Sequence, residues 1–175
     1  QTGAWQILNG TGTLNTPTSL STTYIPTVSD YALGSLTFVL GSTGNCDPVY
    51  DTIIVDFVES PQVIAGPDDT YCKNNVGAVP ISGTVQFATT ANWTGGLGGG
   101  FSGTGPSVSY TPSPADLAAD SVELYLTSAG SFFACPADED TLVIYFTDPP
   151  VVSAGPDQVV CATSDSVDLT GVVSG

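Results

Sequence analysis

The sequence of 175 residues has almost no positive charge, no histidine and no methionine. Lys73 is the only basic residue against 17 Asp and Glu, which gives a formal net charge of −16. Because one cation cannot neutralise a phosphate backbone, nucleic acid is excluded as a partner. Without histidine there is no Ser-His-Asp or Cys-His catalytic machinery and no histidine metal site. No apolar run is long enough to cross a bilayer, so membrane insertion is not expected.

Charged residues of both signs are scarce, at 10% of the chain, whereas hydrophobic residues make up 41%. This content is enough for a core, and the many β-branched residues favour strands over helices. The four cysteines lie far apart and form no C-x-x-C metal or redox motif. In a secreted chain they would form disulfides, and in a cytosolic chain they would be buried thiols. They are Cys46, Cys72, Cys135 and Cys161.

Several sequence blocks recur in the same order at a spacing of about 88 residues, which indicates a tandem repeat. "AGPD" occurs at 65–68 and at 154–157, an offset of 89 that is shared by the cysteines. "DTIIVDF" at 51–57 likewise matches "DTLVIYF" at 140–146. Small changes of offset between blocks indicate loops of different length on one scaffold.

The order of the blocks divides the chain into three parts. Residues 61–148 form one complete repeat, residues 1–60 hold the C-terminal two-thirds of one, and residues 149–175 hold the N-terminal third of the next. The chain is therefore expected to be a slice of a longer repetitive protein.

Within one repeat, short alternating β-branched runs are separated by Gly, Pro, Asp and Ser, which is typical of an all-β immunoglobulin-like sandwich. Trp93 is expected at its centre, and Ser113 and Asp116 in "TPSPADLA" are predicted to cap a helical turn. Asp116 and its counterpart Asp30 are therefore interpreted as structural. Strands are predicted at about 62–71, 79–86, 90–94, 100–103, 107–111, 121–128 and 141–147.

The set of motifs "VVSAGPDQVVC…VDLTG", "W…GGGFSGTG", "YTPSPAD…SVELYLTSAG" and "C…DTLVIYF" resembles the tandem immunoglobulin-like (PKD-like) repeats of Bacteroidota cell-surface adhesins, including SprB-type gliding-motility adhesins. The resemblance spans essentially the whole chain. It implies a secreted, extracellular segment of a bacterial surface filament or adhesin, without catalytic activity, whose neighbours are adjacent repeats. It does not identify the surface or glycan that is bound.

The four cysteines allow three pairings within this chain. Strand order places Cys72 and Cys135 at opposite ends of one sandwich, too far apart for a disulfide. In a head-to-tail array, Cys72 could instead bond the Cys46-equivalent of the following copy, and Cys135 the Cys161-equivalent of the preceding one. The alternative is an unconventional strand order that brings the two cysteines of one repeat together.

Acidic residues cluster at 67–69 and 138–140, and oxygen ligands of this kind can hold Ca²⁺. Asp68, Asp138 and Asp140 are the candidate calcium ligands, although the spacing of an EF-hand is absent. The alternative is a solvated acidic loop with no cofactor at all.

Asp followed by Ser or Thr and then an aliphatic residue occurs four times. In Bacteroidota secreted proteins that resemble this chain, the pattern carries O-glycans, which implies glycosylation of Thr52, Ser121, Thr141 and Ser166. The alternative is that this pattern only begins strands.

The leading hypothesis is thus a structural and adhesive array. The alternative is a carbohydrate-binding module that stacks sugars on Trp5, Trp93, Tyr110 or Tyr125, and a hydrolase with paired carboxylates is less favoured. The glycine-rich stretch at 95–105 lacks the Gly-Lys-Ser/Thr ending of a phosphate loop, so it is interpreted as a wide, flexible connection.

Overall fold

The computed structural model describes residues 2–131, 133 and 135–175, and the chain folds almost entirely into β-strands. Two units are distinguished, Gln1–Glu59 and Ser60–Gly175. The all-β, immunoglobulin-like class predicted from the sequence is confirmed by the strand content and by the sheet order of the second unit.

Five strands and one short helix form the first unit. They are β1 (Thr2–Ile7), β2 (Thr13–Leu14), β3 (Tyr24–Ile25), α1 (Val28–Leu33), β4 (Ser35–Thr43) and β5 (Tyr50–Asp56).

Eleven strands and one short helix are described in the second unit. They are β6 (Gln62–Ile64), β7 (Asp69–Cys72), β8 (Val79–Ser82), β9 (Thr84–Gln86), β10 (Ala88–Gly95), β11 (Gly100–Ser102), β12 (Ser107–Thr111), α2 (Pro114–Ala118), β13 (Ser121–Ser131), β14 (Glu139–Thr147), β15 (Val151–Ser153) and β16 (Val172–Ser174).

The second unit is a sandwich of two sheets, ordered β10-β13-β14-β7 and β11-β12-β8. Side chains alternate between the two faces of a strand, and β13 buries Val122, Leu124 and Leu126 while Glu123 faces solvent. Trp93 of β10 lies opposite Leu126 and donates from Nε1 to the carbonyl of Pro106 at 3.0 Å. Trp93 is therefore a core residue, as predicted.

The first two strands predicted for this unit are each broken in two. Residues 62–71 divide into β6, which pairs with β9, and β7, which pairs in parallel with β14. Between them Gly66 has a positive φ of 91°, and Pro67 has no N–H to continue a ladder. Residues 79–86 divide at Gly83, where a Cβ atom would lie 2.2 Å from the Leu126 side chain. Each break lets one run of sequence contribute a strand to a sandwich sheet and a strand to the separate β6-β9 pair.

The first unit repeats part of this pattern. Its sheet has the order β1-β4-β5, and Trp5 lies opposite Leu40 as Trp93 lies opposite Leu126. Strands β2 and β3 form a separate pair. In the part of the chain that the structure describes, β4 is the only strand that pairs with β5.

The last part of the chain contributes one small antiparallel pair, β15 with β16. All six of its residues are exposed. Its register is the same as that of β6 with β9, because Val152 faces Val173 as Val63 faces Val85. The repeat seen in the sequence is thus a repeat of strand pairing.

The glycine-rich stretch, predicted to be a wide, flexible connection, packs closely against Tyr110 at two positions. A Cβ atom on Gly96 or Gly99 would lie 2.2 Å from the Tyr110 hydroxyl, whereas one on Gly100 would meet open space. Small residues are therefore needed here for a close approach to the core rather than for flexibility.

We expect Gly99→Ala to lower the free energy of unfolding by about 1–3 kcal/mol, because the new methyl group must displace the buried Tyr110 ring. The matched control Gly100→Ala is expected to change it by about 0.5 kcal/mol or less. Thermal denaturation of both variants measures the difference, and equal losses of stability would contradict the close packing.

Candidate functional site

The carboxylate of Asp116, at the start of α2, is fully buried and joins three segments of the second unit. Its Oδ1 accepts a hydrogen bond from the backbone N–H of Leu97 at 2.5 Å. Its Oδ2 accepts from the Tyr110 hydroxyl and from the backbone N–H of Ser113, both at 2.7 Å. Ser113 completes the predicted cap, since its hydroxyl accepts from the Asp116 N–H. Asp116 therefore fixes the loop after β10, the end of β12 and the helix together.

Asp30 has the same role in the first unit. Its Oδ1 accepts from the backbone N–H of Thr11 at 2.7 Å, and its Oδ2 accepts from the Tyr24 hydroxyl and the Thr27 N–H, both at 2.7 Å. Asp30 is also fully buried. Both carboxylates thus act as structural acceptors, as the sequence indicates.

The pKa values of these buried groups are shifted in a way that keeps the carboxylates charged. Burial alone would raise the pKa of Asp116, but the donors from Ser113, Leu97 and Tyr110 outweigh it and hold the pKa below its usual value. Burial and the bond to Asp116 raise the pKa of the Tyr110 hydroxyl. The proton therefore stays on the tyrosine, and the pair has no free acid or base for a substrate.

The most extended polar structure of the second unit is the edge where β7 lies parallel to β14. Asp69 to Cys72 are in register with Ile144 to Thr147, and the Lys73 N–H donates to the Thr147 carbonyl at 3.0 Å. The strand pair joins the segment that enters the sandwich to the strand that leaves it. Tension between the two ends of the unit would load these bonds in shear rather than one at a time.

Carboxylates extend the same edge beyond the ladder. Each of the three acids predicted as calcium ligands accepts a hydrogen bond from a backbone N–H about 75 residues away in sequence. The three bonds, each 2.9 Å long, run from Val63 N to Asp138 Oδ2, from Ala65 N to Asp140 Oδ2 and from Val143 N to Asp68 Oδ1.

The structure gives these carboxylates a role that needs no cation. Among residues 2–131, 133 and 135–175, no group of three His, Cys, Asp or Glu is placed to hold a metal ion. Calcium binding at Asp68, Asp138 and Asp140 stays a prediction, and their observed function is to fasten β6 and its following loop to β14.

Lys73 closes the end of this edge and was not identified as a site residue from the sequence. Its ammonium group forms ion pairs with Asp120 and, at 2.9 Å, with Asp148. The bond to Asp120 and then that to Asp148 raise the pKa of Lys73. Because both carboxylates are largely exposed, solvent screens these ion pairs and they contribute little to stability. The only indication in the sequence was that Lys73 is the single basic residue.

Cys72 and Cys135 lie at opposite ends of β14. Cys72 is in register with Thr147, whereas Cys135 precedes Glu139, the first residue of that strand. Nine residues of strand span about 27 Å, and a disulfide needs Cα atoms within about 7 Å. A bond within one repeat is therefore not compatible with this strand order. All four thiols, including Cys46 and Cys161, are free in this structure.

We expect Asp116→Asn to lower the free energy of unfolding by about 3 kcal/mol at neutral pH, because three donors lose a charged acceptor. Since folding lowers the pKa of Asp116, its contribution is complete above about pH 5 and is lost as the pH falls below its unfolded value of about 3.9. The variant should therefore lose less stability on acidification than the wild type. Denaturant unfolding at several pH values, read by Trp93 fluorescence in a Trp5→Phe background, measures this.

The control is Asp157→Asn, whose side chain is exposed. It should keep the acid dependence of the wild type. An unchanged acid dependence in Asp116→Asn would contradict the assignment.

Neither helix, in the part of the chain that the structure describes, has the length and apolarity to cross a lipid bilayer. No protein-family model and no curated protein matches the chain.

Solved structures that are similar to this chain include cadherin and protocadherin extracellular domains. Mouse cadherin-23 EC22-24 is 12% identical with a TM-score of 0.39, covering 85% of this chain and 54% of that one. Human protocadherin-24 EC1-2 is 8% identical with a TM-score of 0.40, covering 84% and 82%. Protocadherin gamma B2 EC3-6 is 14% identical with a TM-score of 0.38, covering 86% and 42%. The chain thus spans about half the length of two of these structures, and a likeness this distant carries no conclusion about ligand or partner.

Proposed function

We propose that this chain is a segment of an extracellular, tandemly repeated β-sandwich protein with a structural and adhesive role and no catalytic activity. The observation that carries the proposal is the parallel pairing of β7 with β14, reinforced by carboxylates along the same edge. Residues 61–148 are one complete repeat, and 1–60 and 149–175 belong to its neighbours. The motif resemblance supports a bacterial surface filament or adhesin as the parent protein.

The physical reason is the direction in which the edge resists force. A repeat in an array is pulled at its two chain ends, and those ends lead to β7 and β14. Parallel strands loaded in shear must lose their hydrogen bonds together. The unit therefore resists extension more than a hairpin whose hydrogen bonds are pulled apart one after another. The carboxylates of Asp138 and Asp140 hold the same edge by accepting backbone hydrogen bonds, which needs neither a metal ion nor a catalytic arrangement of side chains.

The alternative of carbohydrate binding is less well supported. Of the four aromatic residues suggested as sugar platforms, Trp93 and Tyr110 are buried in the core. The Tyr125 hydroxyl is bonded to the Glu123 carboxylate at 2.6 Å. Trp93 and Tyr110 are therefore not accessible to a sugar, which counts against the carbohydrate-binding alternative.

The cysteines can reinforce the array at the junctions between repeats. Cys72 lies at the end where the chain leaves the sandwich, and Cys135 lies at the end where it enters. Head-to-tail stacking would bring a Cys72-type thiol of one repeat to a Cys135-type thiol of the next. We therefore propose disulfides between adjacent copies, with Cys46 and Cys161 in the corresponding positions of their own repeats.

O-glycans are proposed at four positions that follow an Asp. Thr52, Thr141 and Ser166 are exposed, which a modifying enzyme requires, and Ser121 is half-buried at the first residue of β13. The alternative, that the pattern begins a strand, fits Ser121, whereas Thr141 and Thr52 are each the third residue of their strand.

Force spectroscopy on the full chain, tethered at its two ends, tests the mechanical role. Unfolding of the sandwich of the second unit should release about 300 Å of chain. Asp140→Ala leaves the N–H of buried Ala65 without its acceptor, so the unfolding rate at constant force should rise about tenfold. Glu123→Ala, on the solvent face of β13, is the control and should leave the rate unchanged. A rate that does not respond to Asp140→Ala would contradict a force-bearing edge.

Peptide mapping by mass spectrometry of the native parent protein, without reduction, tests both covalent proposals. We expect a cross-linked pair of peptides, one from the 70–75 region and one from the 133–138 region of another copy. Peptides that contain Thr52, Thr141 or Ser166 should carry added hexose-type mass. A link between Cys72 and Cys135 of one repeat would exclude the junction disulfide, and unmodified peptide masses would exclude glycosylation.

A further inference from the structure

An apolar pocket opens between the two sheets of the second unit, and we call it the slot. Its volume is about 150 Å³, and residues of β7 and β8, the edge strands of the two sheets, help to line it. Asp69 and Pro80 lie at its rim and are exposed. Its floor is made of aliphatic core side chains that are at most 5% exposed, namely Val79, Ile81, Leu142 and Ile144.

The size and the lining of the slot select a small apolar group. A cavity of about 150 Å³ with apolar walls stays dry and can hold a molecule the size of benzene. A leucine side chain is smaller than benzene and fits the same volume. Because wall atoms that face an empty volume lack van der Waals partners, an apolar group that fills the slot gains contacts on several sides.

Leu97 is an apolar side chain that the same unit holds out to solvent on a fixed backbone. Its N–H donates to Asp116 Oδ1 at 2.5 Å, and its carbonyl accepts from the Ser113 hydroxyl at 3.2 Å. Leu97 is nevertheless 57% exposed. A side chain on a backbone that is already ordered loses little conformational entropy when it binds. Leu97 is therefore suited to act as an anchor for a contact.

Glycines on both sides leave the Leu97 side chain without neighbours. Residues 95 and 96 precede it and residues 98–100 follow it, and all five are glycine. Positive φ values of 104° at Gly95, 79° at Gly96 and 109° at Gly98 shape the turn. A narrow opening between two strands admits a side chain only when the residues beside it do not collide with the rim. We call residues 95–99 the leucine turn.

The segment that contains the leucine turn and β8 carries no charge. Residues 74–115 include no Asp, Glu, Lys or Arg, although the whole chain has a net charge of −16. Two copies of so acidic a chain repel each other unless they meet where charge is absent. The uncharged segment supplies both Leu97 and the β8 side of the slot, and Asp69 is the one acid in its lining. The distribution of charge therefore favours a contact between copies at these two places.

Leu97 cannot reach the slot of its own unit. The leucine turn follows β10, and β10 and β7 are the opposite edges of the sheet β10-β13-β14-β7. Three strand spacings, about 14 Å, separate these edges. The hydrogen bonds from Leu97 to Asp116 and Ser113 hold the leucine turn at the β10 edge. The occupant of the slot therefore comes from outside the unit.

The corresponding position in the first unit is polar. Asp30 accepts from the Thr11 N–H there, as Asp116 accepts from the Leu97 N–H. The Thr11 hydroxyl is in turn bonded to the Thr27 hydroxyl at 2.6 Å. This position of the first unit thus offers a satisfied hydroxyl group, whereas the second unit offers a leucine.

We propose that the Leu97 side chain of one copy of this chain inserts into the slot of a second copy. The leucine turn and the slot lie at different places on the unit, so the association is heterologous and extends from copy to copy. Because the contact is apolar and the copies are acidic, salt that screens their repulsion should strengthen it. The inference concerns association between copies and does not depend on the mechanical role proposed above.

Sedimentation equilibrium of the full chain tests the proposal. It is measured over a range of concentrations at low and high salt, with a reducing agent that keeps the exposed cysteines from cross-linking. The mean mass of the wild type should rise with concentration and with salt. Leu97→Asn should weaken the association about tenfold or more, because a leucine side chain is no longer buried. Tyr145→Thr, at an exposed residue of β14, is the control and should behave as the wild type.

Two substitutions of Asp69 form a matched pair for the slot. Asp69 is in register with the buried Ile144, so both side chains lie on the face of the sheet that looks into the sandwich. Asp69→Leu should fill the slot and abolish association while the Tm stays the same or rises. Asp69→Asn keeps the size of the side chain and should keep the association. A mixture of Leu97→Asn and Asp69→Leu should form a dimer of one copy each, because each variant keeps what the other lacks.

Methyl NMR of Ile81, on the floor of the slot, detects the contact itself. Its resonance should shift as the concentration of the wild type rises, and no such shift should occur in Leu97→Asn. A shift that Leu97→Asn causes at high dilution would place the leucine in a slot of the same molecule and overturn the proposal.

Three further outcomes would also overturn it. One is a wild type that stays monomeric at every concentration and salt, including the case in which added benzene occupies the slot and marks it as a site for a small apolar ligand. Another is an association that Leu97→Asn leaves unchanged or that Tyr145→Thr abolishes equally. The last is a mixture of Leu97→Asn and Asp69→Leu that remains monomeric.

Discussion

Each sandwich of this protein depends on covering one apolar sheet face with the strands that open the repeat. In the second unit, β6 and β8 supply Val63 and Ile81, and the sheet residues beneath them are almost completely buried. In the first unit the equivalent sheet is present, and Ile53 is left half-exposed. The hydrophobic effect scales with the apolar area removed from water, so closure contributes more than any single contact does. This burial creates the arrangement of layers. Strand pairing, helix capping and the hydrogen bonds along the edge then stabilise that arrangement.

Five carboxylates of this chain are held in place by hydrogen bonds from backbone N–H groups rather than by cations. With 17 acids and one lysine, ion pairing could neutralise few of them. Asp30 and Asp116 are instead buried beneath tyrosine hydroxyls and N–H groups, and Asp138 and Asp140 accept from the strand across the edge. A charged acceptor strengthens each such hydrogen bond. The position of the carboxylate in the sequence therefore fixes where two separate segments of the chain meet. Acidity in this protein is thus a means of positioning loops and strands.

The mechanical role proposed for this protein depends on one structural element, the edge of the strand that leaves the sandwich. In the second unit that edge is filled by β7 in parallel, which is the geometry that resists extension. Within one repeat, this parallel edge joins the segment that enters the sandwich to the strand that leaves it.

The sequence by itself determined the repeat, the all-β class, the central Trp93, the cap at Ser113 and Asp116, and the opposite placement of Cys72 and Cys135. These follow from local pattern and from the order of blocks, which need no knowledge of distant partners. Only the tertiary structure decided that the first two strands break at 65–68 and at Gly83, that Gly96 and Gly99 lie against Tyr110, and that Asp138 and Asp140 serve N–H groups of Val63 and Ala65. The donor and acceptor of each of these last two hydrogen bonds are about 75 residues apart in sequence. Such a bond can form only after the chain has folded and brought the two atoms within about 3 Å of each other, so local sequence patterns cannot predict it.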